Sequence, residues 1–344
     1  MLTGFAEKAI FTKLKTMYGQ SLTATDYQSL ALRRSVGEIA AYLKNETHFS
    51  QVLSSVKESM VRRGYLEDLL RRDLFQRFTR LSRYDVSPAD KSFYRFCMVY
   101  IEVEQLLDYL RYLNAGLSDQ FVIALPGFLI HYLRYPILEL TKARTLDQAV
   151  EKLAGTPYGP LLRSAREQEG ALIRNCEQKL YQYYYDGVFQ LIDQTFSGKT
   201  RQQVTQLFAA QMDLSNLSTI QRLKMFYHQS REEIAPYLLR NPHSQFSKTA
   251  MSALLEAQDH RQILAALSNT PYRRVVSDVE QLSHSEDQAL FEMARRVLRF
   301  TTNPAAGFAA FLLLSKQEVH NVINIIEGIR YGLSQEEIQS LLVM

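Results

Sequence analysis

Apolar residues recur at helical spacing in three similar stretches of the chain, each opened by a polar residue and closed by an aromatic one. The stretches 143–158 and 257–272 share six of sixteen positions without a gap, and both end in Thr-Pro-Tyr. A looser copy, 33–49, ends in Thr-x-Phe. The pattern predicts one short helix that is used three times, with a fixed aromatic anchor after it. The repeated anchor residues are Thr47, Phe49, Thr156, Tyr158, Thr270 and Tyr272.

Each copy opens with a helix-start signal. Three residues after the capping residue stands a Glu or Gln, which predicts a capping box whose side chain reaches back to the first unpaired N–H. Proline disfavours helix at the residue before it, so these helices are expected to end near Thr156 and Thr270. The caps and their partners are Ser35 with Glu38, Thr145 with Gln148, and Asp259 with Gln262.

A second repeated element supports the same period. An acidic residue followed three positions later by an amide recurs in apolar surroundings, at intervals of 111 and 105 residues. Positions i and i+3 share one helix face, so each pair predicts a polar patch on an apolar helix. Together the repeats predict three helical modules, 1–117, 118–228 and 229–344. The pairs are Glu102 with Gln105, Asp213 with Asn216, and Glu318 with Asn321.

Composition agrees with an all-helical, intracellular protein. Gly (14) and Pro (9) are scarce among 344 residues, which favours helix. The net charge of +4 does not require a nucleic-acid partner. Cys97 and Cys176 have no metal or redox spacing, so we expect buried thiols in a reducing compartment. No signal peptide or transmembrane segment is expected, because the longest apolar runs are only ten residues.

Catalytic, metal and cofactor sites find little support. Residues 197–200 read Ser-Gly-Lys-Thr, but Asp193 stands where a phosphate-binding loop needs glycine. The seven histidines show no zinc-binding spacing, and no serine-hydrolase motif is present. The acid–amide pairs could serve acid–base chemistry, but their repetition favours a structural role. We therefore expect no catalytic residue, no metal and no cofactor.

A basic stretch between residues 62 and 83 has two interpretations. It can be a solvated helix face with pairs such as Glu67–Arg71 and Asp68–Arg72. It can also be a contact surface for acidic groups of a partner or for lipid headgroups. The candidate contact residues are Arg62, Arg63, Arg71, Arg72, Arg77 and Arg80.

These motifs resemble the C (or d) subunit of the V-type and A-type rotary ATPases. The repeated cap–helix–Thr-x-Tyr pattern carries the resemblance, together with the C-terminal run 318–334 and the opening stretch 13–27. The resemblance covers the whole chain and is closer to the bacterial and archaeal members. The first copy has Gln105 where the other two copies have asparagine, so the three modules are not strictly equivalent at this position.

The resemblance implies an all-α fold in which three pseudo-threefold-related modules form a funnel-shaped socket. It implies a non-catalytic rotor-linking subunit that seats the central stalk on the membrane rotor ring and transmits torque for ATP-coupled H⁺ or Na⁺ transport. The implied partners are the central-stalk subunits of D and F type and the proteolipid ring of c or K type, with one copy of this chain per complex. No nucleic acid or small-molecule substrate is implied. The implied location is peripheral, on the cytoplasmic face of the membrane. The alternative is a soluble helical scaffold or tethering protein without membrane association.

Overall fold

A computed structural model describes residues 2–58, 61–88, 91–125, 127–273 and 282–344 of the chain. Every regular element within these ranges is helical, which confirms the expected all-α class. Short 3-10 turns cover Gly127–Leu129 and Ala235–Tyr237. The α-helices are α1 (Leu2–Tyr18), α2 (Ala24–Ala31), α3 (Val36–Glu46), α4 (Ser50–Leu53), α5 (Arg63–Ser82), α6 (Phe93–Phe96), α7 (Val99–Asn114), α8 (Ser118–Ala124), α9 (Ile137–Leu140), α10 (Leu146–Lys152), α11 (Tyr158–Glu167), α12 (Leu172–Thr195), α13 (Gly198–Met225), α14 (Arg231–Ile234), α15 (Lys248–Glu256), α16 (His260–Leu267), α17 (Leu282–Phe300), α18 (Pro304–Tyr331) and α19 (Gln335–Ser340).

The chain divides into two compact units. The first unit comprises Met1–Pro88, Ser197–Leu207 and Pro271–Met344, and the second comprises Ala89–Phe196 and Phe208–Thr270. Both units are therefore discontinuous in sequence. This division differs from the three modules of the sequence repeats, and the threefold organisation of the modules stays a prediction.

The first unit is built around the long helix α18. Asn303 caps its start by accepting the N–H of Ala306 at 3.0 Å, and Pro304 occupies the first turn, where its missing N–H costs nothing. Gly332 ends the helix in the left-handed conformation, with φ of 70°, which a residue without Cβ adopts freely. Helices α1, α2, α3, α5, α17 and α19 all contact α18. Because so many helices pack on α18, apolar and polar side chains alike are buried along it.

One end of α18 lies in a continuous apolar core. Val322 and Ile326 of α18 are fully buried in it, together with Phe49, with Leu43 of α3 and with Leu66 of α5. Burial of each such side chain contributes about 1.5–3 kcal/mol relative to exposure. This core fixes the ends of α3 and α5 against α18, which places the polar groups of these helices opposite one another.

The second unit is organised around α12, which contacts α6, α7 and α11. Its buried face is aromatic: the ring of Tyr184 stacks on that of Phe96, and the ring of Tyr100 meets Tyr184 edge-on. Gly187 lies under Phe96, where a Cβ would come within 2.2 Å of the ring. A side chain at this position would require the Phe96 ring to move, so glycine lets that ring lie directly against α12.

Candidate functional site

The three predicted helix starts are helix starts in the structure. Each cap accepts a hydrogen bond from the backbone N–H three residues later, at 2.9–3.3 Å, in the expected positions Ser35, Thr145 and Asp259. The second hydrogen bond differs from that of a capping box. The Glu or Gln side chain accepts the backbone N–H of the residue before the cap, at 2.7–3.0 Å, instead of the N–H of the cap itself. These donors are Arg34, Arg144 and Gln258. The same one-residue displacement at three places shows that the copies share their local geometry.

The threonine of each Thr-x-aromatic motif closes its helix. Its hydroxyl donates to a carbonyl of the last turn, and these threonines are Thr47, Thr156 and Thr270. The aromatic rings that follow are fully buried in all three copies, at Phe49, Tyr158 and Tyr272. The motif thus turns the chain and inserts one ring into the core.

In the first unit, Glu318 of α18 is the centre of a buried polar cluster. Its carboxylate lies 3.0 Å from His48 Nε2 and 3.2 Å from Arg77 Nη1, and it accepts the backbone N–H of Leu22 at 2.6 Å. Arg77 also donates to the carbonyl of Met17 at 3.0 Å. Burial alone would raise the pKa of Glu318, but the bond from His48, the charges of His48 and Arg77 and the N–H of Leu22 hold it below its ordinary value. The carboxylate is therefore held charged in the interior.

In the second unit, Glu102 of α7 has a different set of partners. Nε of Arg134 lies 2.9 and 3.0 Å from its two oxygens, and the hydroxyl of Tyr158 donates to it. The hydroxyl of Tyr135 donates to the backbone carbonyl of Glu102 at 2.9 Å. Burial, and then the negative charge of Glu102, raise the pKa of Tyr158, so its hydroxyl stays protonated and keeps donating. The repeated anchor ring is thereby tied to the acid.

The acid of the middle copy, Asp213 of α13, is fully buried. Its carboxylate accepts the hydroxyl of Ser244 at 2.6 Å and the backbone N–H of Gln245 at 2.7 Å. Asp213 thus accepts a backbone N–H, as Glu318 accepts the backbone N–H of Leu22. All three acids thus hold a chain segment that is distant in sequence.

Two of the three amides act as clamps on backbone. Asn216 donates to the carbonyl of Leu239 at 2.9 Å and accepts its N–H at 2.8 Å. Asn321 makes the same pair of bonds to Val343, at 2.7 and 3.1 Å. Gln105 is also buried. An amide can satisfy both backbone groups of one residue, which a carboxylate cannot, and this explains the residue type at these positions.

The contacts of the acids follow the order of the predicted modules. Glu102 of the first module contacts the second, Asp213 of the second contacts the third, and Glu318 of the third contacts the first. Each of these contacts lies within one of the two compact units. The acids therefore contact successive predicted modules, and the last acid contacts the first predicted module from the third.

Only some side chains of the basic stretch are exposed on the surface. Arg71 lies 4.0 Å from Glu67, as expected, whereas Asp68 and Arg72 do not form the expected ion pair. Arg63 is bonded to Glu67 and also reaches Glu327 of α18. Of the six candidate contact residues, the exposed ones are Arg62, Arg71, Arg72 and Arg80.

Arg77 differs from the expectation for the stretch. Its side chain is 7% exposed, and its guanidinium packs 5.0 Å above the ring of Phe311 while it pairs with Glu318. This position offers no charge to a partner. Arg77 therefore belongs to the buried cluster and not to the contact surface.

Several partners of the acids were not predicted from the sequence, among them His48, Arg134, Tyr135 and Ser244. His48 occupies the middle position of Thr-x-Phe, where the other copies have proline. A polar residue at a position that proline otherwise fills was the available signal for His48. Arg134 and Tyr135 lie outside every repeated motif, so the sequence offered no comparable signal for them.

No arrangement suited to catalysis or metal binding emerges from the described part of the chain. No group of three His, Cys, Asp or Glu side chains there could hold a metal ion. Gly198 begins α13 directly after α12, so the strand that precedes a phosphate-binding loop is replaced by a helix. Cys97 and Cys176 are free and buried, and burial raises the pKa of Cys176 to about 11, which suppresses the reactive thiolate. The polar clusters hold helices together, and their geometry fits that role.

Within the residues that the structure describes, no helix combines the length and the apolar character needed to cross a bilayer.

Comparison with known proteins gives consistent matches. The profile of the ATP synthase (C/AC39) subunit family matches residues 10–341. The C subunit of the A-type ATP synthase of Methanosarcina acetivorans is 23% identical over 97% of this chain and 91% of its own length. The same protein of Methanococcoides burtonii is 25% identical over 62% of this chain, and that of Pyrococcus abyssi is 25% identical over 59%. The chain spans only 60% and 56% of the length of the last two relatives.

The helical fold and these matches define the class: a structural, non-catalytic subunit of a rotary ATPase. The chain belongs to the ATP synthase (C/AC39) subunit family.

Proposed function

We propose that this chain is the rotor-linking subunit of a V/A-type rotary ATPase. In this role it seats the central stalk on the membrane rotor ring and transmits torque for ATP-coupled transport of H⁺ or Na⁺. The single observation that carries the proposal is the family match over residues 10–341. The relatives that are named as C subunits of A-type ATP synthases support the same assignment.

The buried junctions support a torque-bearing role. A part that transmits torque must resist deformation, and its joints must not slip. Glu102, Asp213 and Glu318 each fix a segment from the next module through short polar contacts in the interior, where such bonds are stronger than in water. The cyclic order of these contacts also supports the proposed three-module organisation with boundaries near residues 117 and 228.

The proposed partners are the central-stalk subunits of D and F type and the proteolipid ring of c or K type. One copy of the chain would lie peripherally at the cytoplasmic face of the membrane. Partner contacts are proposed for the exposed arginines of α5 and its N-terminus, because exposed guanidinium groups favour an acidic surface. Arg71 and Arg72, which are adjacent and exposed, are the best positions to test.

The proposal is tested by recovery of the assembly. Tagged chain is purified from gently solubilised membranes, co-purifying chains are identified by mass, and the eluate is assayed for ATPase activity. We expect a stalk pair, a small proteolipid and ATPase activity. Recovery of the chain alone, from the soluble fraction, would contradict the proposal and favour the scaffold or tethering alternative.

The contact surface is tested with a matched pair of variants. Arg71→Gln with Arg72→Gln is expected to reduce recovery of the stalk and ring proteins without changing the urea midpoint of the free chain. Arg295 and Arg296 of α17 are also adjacent and exposed, so Arg295→Gln with Arg296→Gln removes the same charge elsewhere. Equal recovery with both double variants would leave α5 as a solvated helix face.

A further inference from the structure

The Glu318 cluster contains a histidine placed between two carboxylates. His48 Nε2 lies 3.0 Å from Glu318 of α18, and Nδ1 lies 3.5 Å from Asp73 of α5. The His48 side chain is only 6% exposed. An imidazole donates from both nitrogens only when it is protonated, so both contacts are favourable only in the charged state.

In its neutral state, His48 can form a different hydrogen bond. Nη1 of Arg77 lies 3.4 Å from His48 Nε2 and can donate to it when that nitrogen carries a lone pair. The remaining N–H at Nδ1 would still face Asp73. Both of these partners belong to α5. In the neutral tautomer that keeps its proton on Nδ1, the contact to α18 is therefore lost and the contacts to α5 are kept.

We propose that His48 is a pH-sensitive clasp that joins the α3–α4 connection to α18 when it is protonated and releases α18 as the pH rises. The inference is independent of the proposed function, because it concerns contacts within the first unit alone. It identifies one junction of the fold that responds to alkaline conditions.

The groups that face His48 determine the direction of the response. Asp73 of α5 and Glu318 of α18 favour the charged imidazole, whereas Arg77 of α5 opposes it. Tyr27 of α2 faces Glu318, and burial raises the pKa of this phenol, so it stays neutral. Burial alone would lower the pKa of His48, but the two carboxylates raise it above its ordinary value of 6.5. A raised folded pKa means that the stabilisation is complete below 6.5 and is lost as the pH rises through the folded pKa.

The Glu102 cluster provides an internal control. Its acid is held by the guanidinium of Arg134 and the phenol of Tyr158, and both groups keep their protons throughout the range in which an imidazole titrates. The second unit should therefore show no comparable response at its acid junction.

Hydrogen exchange of the full chain, followed by mass spectrometry between about pH 6 and about pH 9, tests the clasp. Labelling times are scaled for the intrinsic exchange rate. We expect opening of peptides within residues 36–53 to increase by up to about tenfold per pH unit from 6.5 up to the folded pKa and then to level off, because one proton is linked to the opening only in that interval. Peptides around Glu102 should show no such increase. A flat profile at 36–53 in the unmodified chain would overturn the proposal.

Variants separate His48 from other titrating groups. His48→Gln is expected to abolish the excess pH dependence, with faster exchange at 36–53 already at about pH 6. His243, which lies 3.1 Å from Asp193 in the second unit, supplies the matched control, and His243→Gln should leave the profile of 36–53 unchanged. Persistence of the excess in His48→Gln would exclude the clasp. If that variant does not fold, Asp73→Asn replaces it. Removal of one carboxylate lowers the folded pKa of His48, so the rise in opening should level off at a pH about one unit lower. An unchanged pH of levelling-off would count against the clasp.

Discussion

The clusters around Glu318 and Glu102 hold equivalent acids of the repeat in different ways. Glu318 is held by an imidazole, a guanidinium and a backbone N–H, and its cation Arg77 is 7% exposed. Glu102 is held by a phenol and by Arg134, whose side chain is 49% exposed. The position of the acid is thus a property of the repeat, whereas its neutralisation is specific to each copy.

This difference between the two clusters predicts that substitutions in them will reduce the stability of the protein to different extents. A buried charge that loses its counter-charge cannot be rescued by water, whereas a pair whose cation is half exposed is partly screened and contributes less. Removal of one charged side chain from the Glu318 cluster should therefore abolish most of the stability that the cluster contributes. The Glu102 cluster should depend chiefly on the buried ring of Tyr158.

The largest effect is expected at the aromatic anchors. Tyr158→Ala should cost about 3–5 kcal/mol, because it leaves a cavity at a fully buried ring and removes a hydroxyl from Glu102. Tyr272→Ala should fall in the same range. Tyr158→Phe, which keeps the ring, should cost only about 1 kcal/mol. Urea unfolding followed by circular dichroism measures each change, and unchanged midpoints for both alanine variants would refute the anchor role.

Removal of the cations should separate the two clusters most clearly. Arg77→Ala is expected to destabilise by about 3 kcal/mol, because Glu318 is left buried without its guanidinium. Arg134→Ala should cost about 1 kcal/mol or less, since this side chain is half exposed. Arg77→Lys keeps the charge but cannot replace both guanidinium contacts, so it should lie between wild type and Arg77→Ala. Equal losses for Arg77→Ala and Arg134→Ala in urea would remove the proposed distinction.

The amide clamps should respond alike in the two units. Asn321→Ala leaves the N–H and carbonyl of Val343 without this partner, and Asn216→Ala does the same at Leu239. Each change should cost about 2 kcal/mol. Thermal denaturation of both variants checks the expectation. A much smaller loss for one of them would show that its backbone groups find water instead.

The smallest effect is the acid limb of the pH profile. The pKa of Glu318 lies below its ordinary value of 4.5, so its stabilisation is present above 4.5 and is lost as the pH falls through the folded pKa. The slope is at most about 1.4 kcal/mol per pH unit. Glu318→Gln should flatten this limb of the stability curve, measured by urea unfolding between about pH 3 and about pH 6. An identical slope in this variant would assign the acid limb to other carboxylates.

Local patterns in the sequence correctly predicted features that depend on neighbouring residues. Ser35 caps its helix because the bond reaches only three residues along the chain, and Tyr158 follows its threonine into the core, as the equivalent ring does in every copy. The partner of Arg77 could not be predicted in this way. Arg77 lies among solvated arginines in sequence, but the carboxylate that it meets is 241 residues away. Only the packing of α5 against α18 brings the two together.

The hydrogen bond between Leu22 and Glu318 has a consequence for biosynthesis, because it joins residues 296 positions apart. At about 5–20 residues per second a ribosome needs on the order of 15–60 s to make the intervening chain. The first unit cannot close until α18 has emerged, whereas every residue of the second unit is already available by then. The apolar faces of the earliest helices therefore stay without the partner helix α18 during that interval, and transiently exposed apolar surface of this kind is prone to aggregation.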